Sequence, residues 1–124
     1  MIAMIFEFWF DASDPARYEE YLVESGALRD LLPGLDGFCG IERFESVSEP
    51  GKFVAIGFFR DEDAVKAWRN TPAHRRAQAL GRARLFAGYR LRMAEVTRDY
   101  GPAEREQAPA DSQLFHHRKD TGNG

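Results

Sequence analysis

Ile2-Ala3-Met4-Ile5-Phe6-Glu7-Phe8-Trp9-Phe10 is the stretch that decides how this chain folds. Ile2, Met4, Phe6, Phe8 and Phe10 alternate with Ala3, Ile5, Glu7 and Trp9, the period-two pattern of a β-strand. Both sets are largely apolar. An antiparallel sheet with one wet face reads polar on that face, and this strand does not. Lys52 to Phe59 repeats the feature, with Phe53, Ala55 and Phe59 on one side and Val54, Ile56 and Phe58 on the other. Leaving three or four such side chains in water would forgo about 1.5–3 kcal/mol each. It would also leave an apolar patch larger than soluble monomers usually carry. The second face is therefore expected to be covered, and a second copy about a two-fold axis is the simplest cover.

The flanking segments complete the order. Asp14-Pro15 reads as a helix start, followed by Tyr18, Tyr21, Leu22, Ser25, Leu28 and Leu32 at helical spacing. Pro33, Gly34, Asp36 and Gly37 end that helix, and a second strand is predicted from Phe38 to Ser46. The turn Glu49-Pro50-Gly51 leads into the third strand. Asp61 opens a short helix through Trp68, Thr71-Pro72 restarts a helix towards Gly81, and a fourth strand is predicted from Tyr89 to Tyr100. The resulting β-α-β-β-α-β order is an α+β, ferredoxin-like arrangement with an antiparallel sheet and helices on one face. The domain is expected over residues 1–100, with 101–124 as an extended polar tail in which Leu114 and Phe115 are the apolar exceptions.

Composition narrows the function classes. At 124 residues the chain is the size of one domain. Its apolar runs are far shorter than the roughly 20 residues that span a bilayer, and no secretory leader pattern precedes the first strand, so no membrane role and a cytoplasmic location are expected. The single Cys39 has no internal disulfide partner and reads as a small buried hydrophobe; no Cys/His framework for a metal is present. Net charge is −3, but it is unevenly placed: residues 1–65 hold five Lys and Arg against fourteen Asp and Glu, and residues 66–98 hold nine against one. The arginines of the basic block are spaced along a helix and a strand without an aromatic RNA-binding pattern, so ion pairing within or between subunits is expected rather than nucleic-acid binding.

The stretches Gly37-Phe38-Cys39-Gly40-Ile41-Glu42-Arg43-Phe44, Phe58-Phe59-Arg60-Asp61-Glu62-Asp63-Ala64 and Ala67-Trp68-Arg69-Asn70-Thr71-Pro72-Ala73-His74, taken with the element order, resemble the antibiotic biosynthesis monooxygenase domain family. The resemblance covers roughly residues 1 to 100. It implies a homodimeric α+β barrel, in agreement with the two-faced sheet. It also implies oxidation of a small aromatic or quinol-type substrate by dioxygen with no cofactor, as in many of the family's members. Others degrade haem or have no known role.

Cofactor-free oxygenation needs a base to make an electron-rich anion, a donor for the developing oxyanion, and a dry aromatic cavity. His74 is the candidate base by intrinsic pKa. Trp68 can donate through its indole N–H, and Asn70 can assist. Each also has a structural reading: Trp68 as core, His74 as a residue bonded locally at a helix start, Asn70 as a turn residue. Glu7 and Trp9 on the first strand and Arg92 on the fourth are candidate substrate-binding residues, with an ion pair across strands or across the dimer as the alternative, for which Arg92, Arg90 and Arg43 are the available partners of Glu7. A non-catalytic small-molecule-binding or stress-related dimer is the second functional reading. Haem binding is the third and fits less well, because Glu7 and Gln78 stand where the haem-degrading branch is expected to carry an asparagine and the ligating histidine. His116 and His117 lie in the tail, where paired histidines are usually solvent-exposed and bind metal only weakly.

Overall fold

The computed structural model describes residues 1–81, 85–112, 114 and 115. β1 (Ile2–Trp9) is followed by α1 (Ala16–Leu31) and a single 3₁₀ turn at Leu32–Gly34. The hairpin of β2 (Phe38–Glu45) and β3 (Lys52–Phe59) comes next, then α2 (Glu62–Arg69), α3 (Pro72–Leu80) and β4 (Gly88–Glu95). The four strands form one antiparallel sheet in the order β2-β3-β1-β4. This is the α+β, ferredoxin-like order that the sequence predicts, with β1 and β3 central because they are apolar on both faces.

Local chemistry sets the helix starts. The Asp61 carboxylate accepts from the Ala64 N–H at 2.9 Å and caps α2. Thr71 caps α3, its Oγ1 accepting from the His74 N–H at 3.2 Å, with Pro72 in the first turn where a missing N–H costs nothing. Asp14 does not cap α1. Pro15 holds the cap position without a side-chain bond, and the Asp14 carboxylate instead meets Arg17 Nε at 3.0 Å.

Two apolar clusters lie on the helix-facing side. Ile2, Leu32, Phe59, Ala64, Val65 and Trp68 form one. Phe8, Tyr21 and Ala55 form the other, packed by Phe6, Phe10, Phe53 and Phe86. The helix-facing residues of β3 run Phe53, Ala55, Gly57, Phe59, large at the ends and small in the middle. A Cβ on Gly57 would meet Met4 Cε at 3.3 Å. The two small residues leave a hollow over the centre of the sheet.

A bulge in β2 changes which side chains reach that hollow. Phe38 pairs with Phe59, but Gly40 pairs with Phe58, so one extra residue, Cys39, is inserted. Gly40 takes φ +135°, open to glycine and rarely to other residues. Beyond the bulge, Ile41 and Arg43 sit opposite Gly57 and Ala55 on the helix-facing side. Cys39 is exposed, which corrects the expectation of a buried thiol, because the bulged residue is left outside the ladder.

β4 ends at Glu95, five residues before the predicted limit, and the Val96 N–H donates to the Met1 carbonyl as the pairing runs out. The 101–124 segment is turned rather than extended over its described part. Gly101 N–H donates to the Glu104 carbonyl, Asp99 N–H to Gln107 Oε1, Ala108 is buried, and residues 110–112, 114 and 115 are helical. Local backbone and side-chain bonds close these turns without help from hydrophobic periodicity. His116 and His117 lie outside the described residues. Among the described residues no helix is long and apolar enough to cross a membrane.

Candidate active site

A cavity of about 250 Å³ lies between α1, α3 and the helix-facing side of the sheet. Its floor is Met4, Phe6, Ile41 and Ala55, the hollow left between the two apolar clusters. Tyr21, Ser25 and Leu28 line it from α1, spaced three and four residues apart so that they share one helix face. Trp68 closes one end from α2. His74, Ala77 and Gln78 come from α3, Phe86 from the segment entering β4, and Tyr89 from β4 itself.

Trp68 and His74 are brought together. Their rings stack with centroids 4.7 Å apart and planes inclined by 15°. Thr71 holds the pair in register: its Oγ1 accepts from the His74 N–H and donates to the Trp68 carbonyl at 2.9 Å. The sharp restart between α2 and α3, at Thr71-Pro72, is thus what places an imidazole against an indole.

Among the described residues His74 Nδ1, which is buried, has no hydrogen-bond partner. Buried polar atoms are nearly always partnered, so this one is an exception; it is closed off from water, and His74 borders the cavity as a residue rather than through this atom. Burial is the main influence on its titration and holds the imidazole below its ordinary pKa. The carbonyls of Trp68 and Arg69 oppose that shift, and the charges of Arg75 and Arg69 add to it. His74 is therefore a neutral base at neutral pH.

The remaining candidates from the sequence lie elsewhere. Asn70 is exposed at the end of α2, where its side-chain oxygen accepts from the Arg75 guanidinium, outside the cavity. Glu7 and Arg92 pair with each other at 3.3 Å on the reverse face of the sheet, because their register places both on the side away from the helices. Trp9 is on that face too, at the sheet end, with Lys52 Nζ 5.8 Å from its ring centre and Gly88 opposite it. Trp9 borders a separate groove shared with Tyr18, Asp11 and Glu49. The Glu7–Arg92 pair joins the acidic and basic parts of the chain, whereas Arg17, Lys52 and Arg60 find acids within the first half.

Tyr21, Ser25, Arg43 and Gln78 line the cavity without having been singled out as site residues. Gln78 follows His74 by four residues, a helical spacing that signals a shared face. Tyr21 and Ser25 carry the same signal on α1. Arg43 carries none, since the bulge that redirects it is not written in the alternation. Among the described residues no three His, Cys, Asp or Glu side chains are grouped so as to hold a metal ion.

The sequence model of the antibiotic biosynthesis monooxygenase family matches residues 1–80. The chain belongs to the antibiotic biosynthesis monooxygenase family. Within that family it is similar to the jasmonate monooxygenase ABM of Pyricularia oryzae, 37% identical over 97 residues. The match takes in 78% of this chain and 44% of that protein, so the chain spans less than half of this relative's length. Two solved family structures share the fold. One is a putative antibiotic biosynthesis monooxygenase of Deinococcus radiodurans, at TM-score 0.67 and 16% identity over 82% of this chain and 97% of that one. The other is SnoaB of Streptomyces nogalater, described as a cofactor-independent oxygenase, at TM-score 0.65 and 13% identity over 79% and 94%. At those identities the likeness concerns the fold alone.

Proposed function

We propose that this protein is a monooxygenase that oxidises a small aromatic or quinol-type substrate with dioxygen, without a metal or organic cofactor, in the cavity that His74 and Trp68 share. One observation carries the reading: an imidazole held neutral by burial, that of His74, stacked on Trp68 where both residues line an aromatic cavity. The family, the relative named a jasmonate monooxygenase and the solved cofactor-independent oxygenase support it.

His74 removes a proton from an acidified O–H or C–H of the substrate. The resulting anion is electron-rich enough to reduce dioxygen directly, giving a C–O bond and a hydroperoxide that regains the proton. Loss of water then leaves a carbonyl. A CH₂ carbon and O₂ become C=O and H₂O, so the substrate supplies all the electrons. The apolar walls keep bulk water from the anion. Trp68 is a positioning residue that fixes the plane of the imidazole. The active form is a homodimer in which Ile5, Val54, Ile56 and Phe58, all on the reverse face by register, are covered by a second copy.

The test is oxygen uptake with dithranol, an anthrone whose ring C–H is acidified by its carbonyl. One O₂ is consumed per carbonyl formed, chelators have no effect, and His74→Ala slows the reaction by about 10²-fold or more. Tight retention of the anthrone without oxygen uptake would make the protein a binding module instead.

A further inference from the structure

Arg43 reaches the cavity only because of the bulge at Cys39. In the register set by Phe38 and Phe59, Arg43 would lie opposite Val54 on the reverse face; the inserted residue places it opposite Ala55 instead. There its guanidinium is half-buried, with Nη1 donating to Ser25 Oγ at 2.9 Å and its central carbon 5.4 Å from the Tyr21 ring centre.

A guanidinium taken part-way out of water normally has an anion beside it. Among the described residues no carboxylate lies within ion-pair distance of Arg43. The contacts it does make occupy few of its five N–H donors. Of the other charged residues at the cavity, Glu24 and Arg29 on α1 offset each other. Glu42 pairs with Ile56 in the ladder and so belongs to the reverse face. Among the described residues, with His74 neutral and Glu42 turned to the other face, Arg43 is the positive charge in surplus at the cavity.

We infer that Arg43 anchors an anionic group of the ligand, and that the molecule held here is a small carboxylate: an apolar ring body on the floor of Phe6, Ala55 and Ile41, with its carboxylate on the Arg43 fork. This rests on the reading of the cavity as the substrate site. It adds the substrate class and makes Arg43 a specificity-determining residue.

Calorimetric titration with naphthalene carboxylate and its methyl ester at neutral pH tests it. The wild-type protein is expected to hold the acid about tenfold more tightly than the ester, the worth of one hydrogen-bonded charge pair. Arg43→Gln is expected to lose that preference while keeping the ester, and Arg43→Lys to retain part of it. An acid held no more tightly than the ester by the wild-type protein overturns the inference, and needs no variant to fold. A preference that survives in Arg43→Gln also overturns it. Acid preference without dithranol-dependent oxygen uptake would remove the oxygenase reading and leave the anion anchor standing. Oxygen uptake with no acid preference would do the reverse.

Discussion

The His74 imidazole lies 4.7 Å from the Trp68 indole and nearly parallel to it, and the backbones of both residues are tied to the same hydroxyl, that of Thr71. Two helices that would otherwise end and begin independently are joined through one side chain. The stack shields one face of the imidazole from water, which keeps the ring neutral, and leaves Nδ1 buried and unpaired.

Removing that hydroxyl separates the two helices' ends. Thr71→Ala is expected to lower stability by about 1 kcal/mol through loss of the cap. It should also lower oxygen uptake by releasing the imidazole from its plane. Thr71→Ser keeps the oxygen and should restore both. Urea denaturation of the three proteins, with dithranol-dependent oxygen uptake in parallel, checks this. An alanine variant as stable as the serine variant would contradict the capping role.

The protonation of His74 gives a pH signature. Unfolded, the imidazole titrates near its ordinary value of about 6.5. Folded, burial holds it lower, so the folded state binds fewer protons over the interval between the two values. The contribution to stability is complete above pH ~6.5 and is lost as pH falls through the lower, folded value. Activity follows the neutral base, so its acidic limb is expected below pH ~6.5. His74→Gln should flatten the pH dependence of the melting temperature in this range. An acidic limb above pH ~6.5, or an unchanged stability profile in His74→Gln, would refute the assignment.

Ile56 lies at the centre of the reverse face, opposite Ile5 on one side and Glu42 on the other. Placing a carboxylate there costs nothing in a wet monomer but is severe in an apolar interface. Sedimentation of the wild-type protein at micromolar concentration is expected to give a dimer, and Ile56→Glu a monomer that stays folded by circular dichroism. A wild-type monomer that remains soluble would remove the barrel from the proposal.

The elements were legible in the sequence because each depends on neighbours in the chain. The alternation of Ile2 to Phe10 made β1 a strand with two apolar faces, and Thr71-Pro72 carried its own start signal for α3. Trp68 and His74 were each legible as candidates, but that their rings stack on one another was decided by the turn at Thr71-Pro72. Asp14-Pro15 looked similar to Thr71-Pro72, yet its carboxylate found Arg17 nearer than the helix end. Glu7 was legible as needing a cation, with Arg92 one of three arginines available, but neither was legible as lying away from the cavity, since alternation tells which residues share a face and not which face the helices cover.

The sequence by itself determined the order of strands and helices, the capping of α2 and α3, and two strands, β1 and β3, that are largely apolar on both sides. All of these follow from periodicity and bonding over a few residues. The tertiary structure decided what the cavity contains. One inserted residue at Cys39 reverses every later side chain of β2, because the period of a strand is two, and so sends Arg43 towards the helices. Ala55 became part of the floor of a hollow only when α1 and α3 packed above it. His74 Nδ1 lost its partner only when that packing closed it off from water.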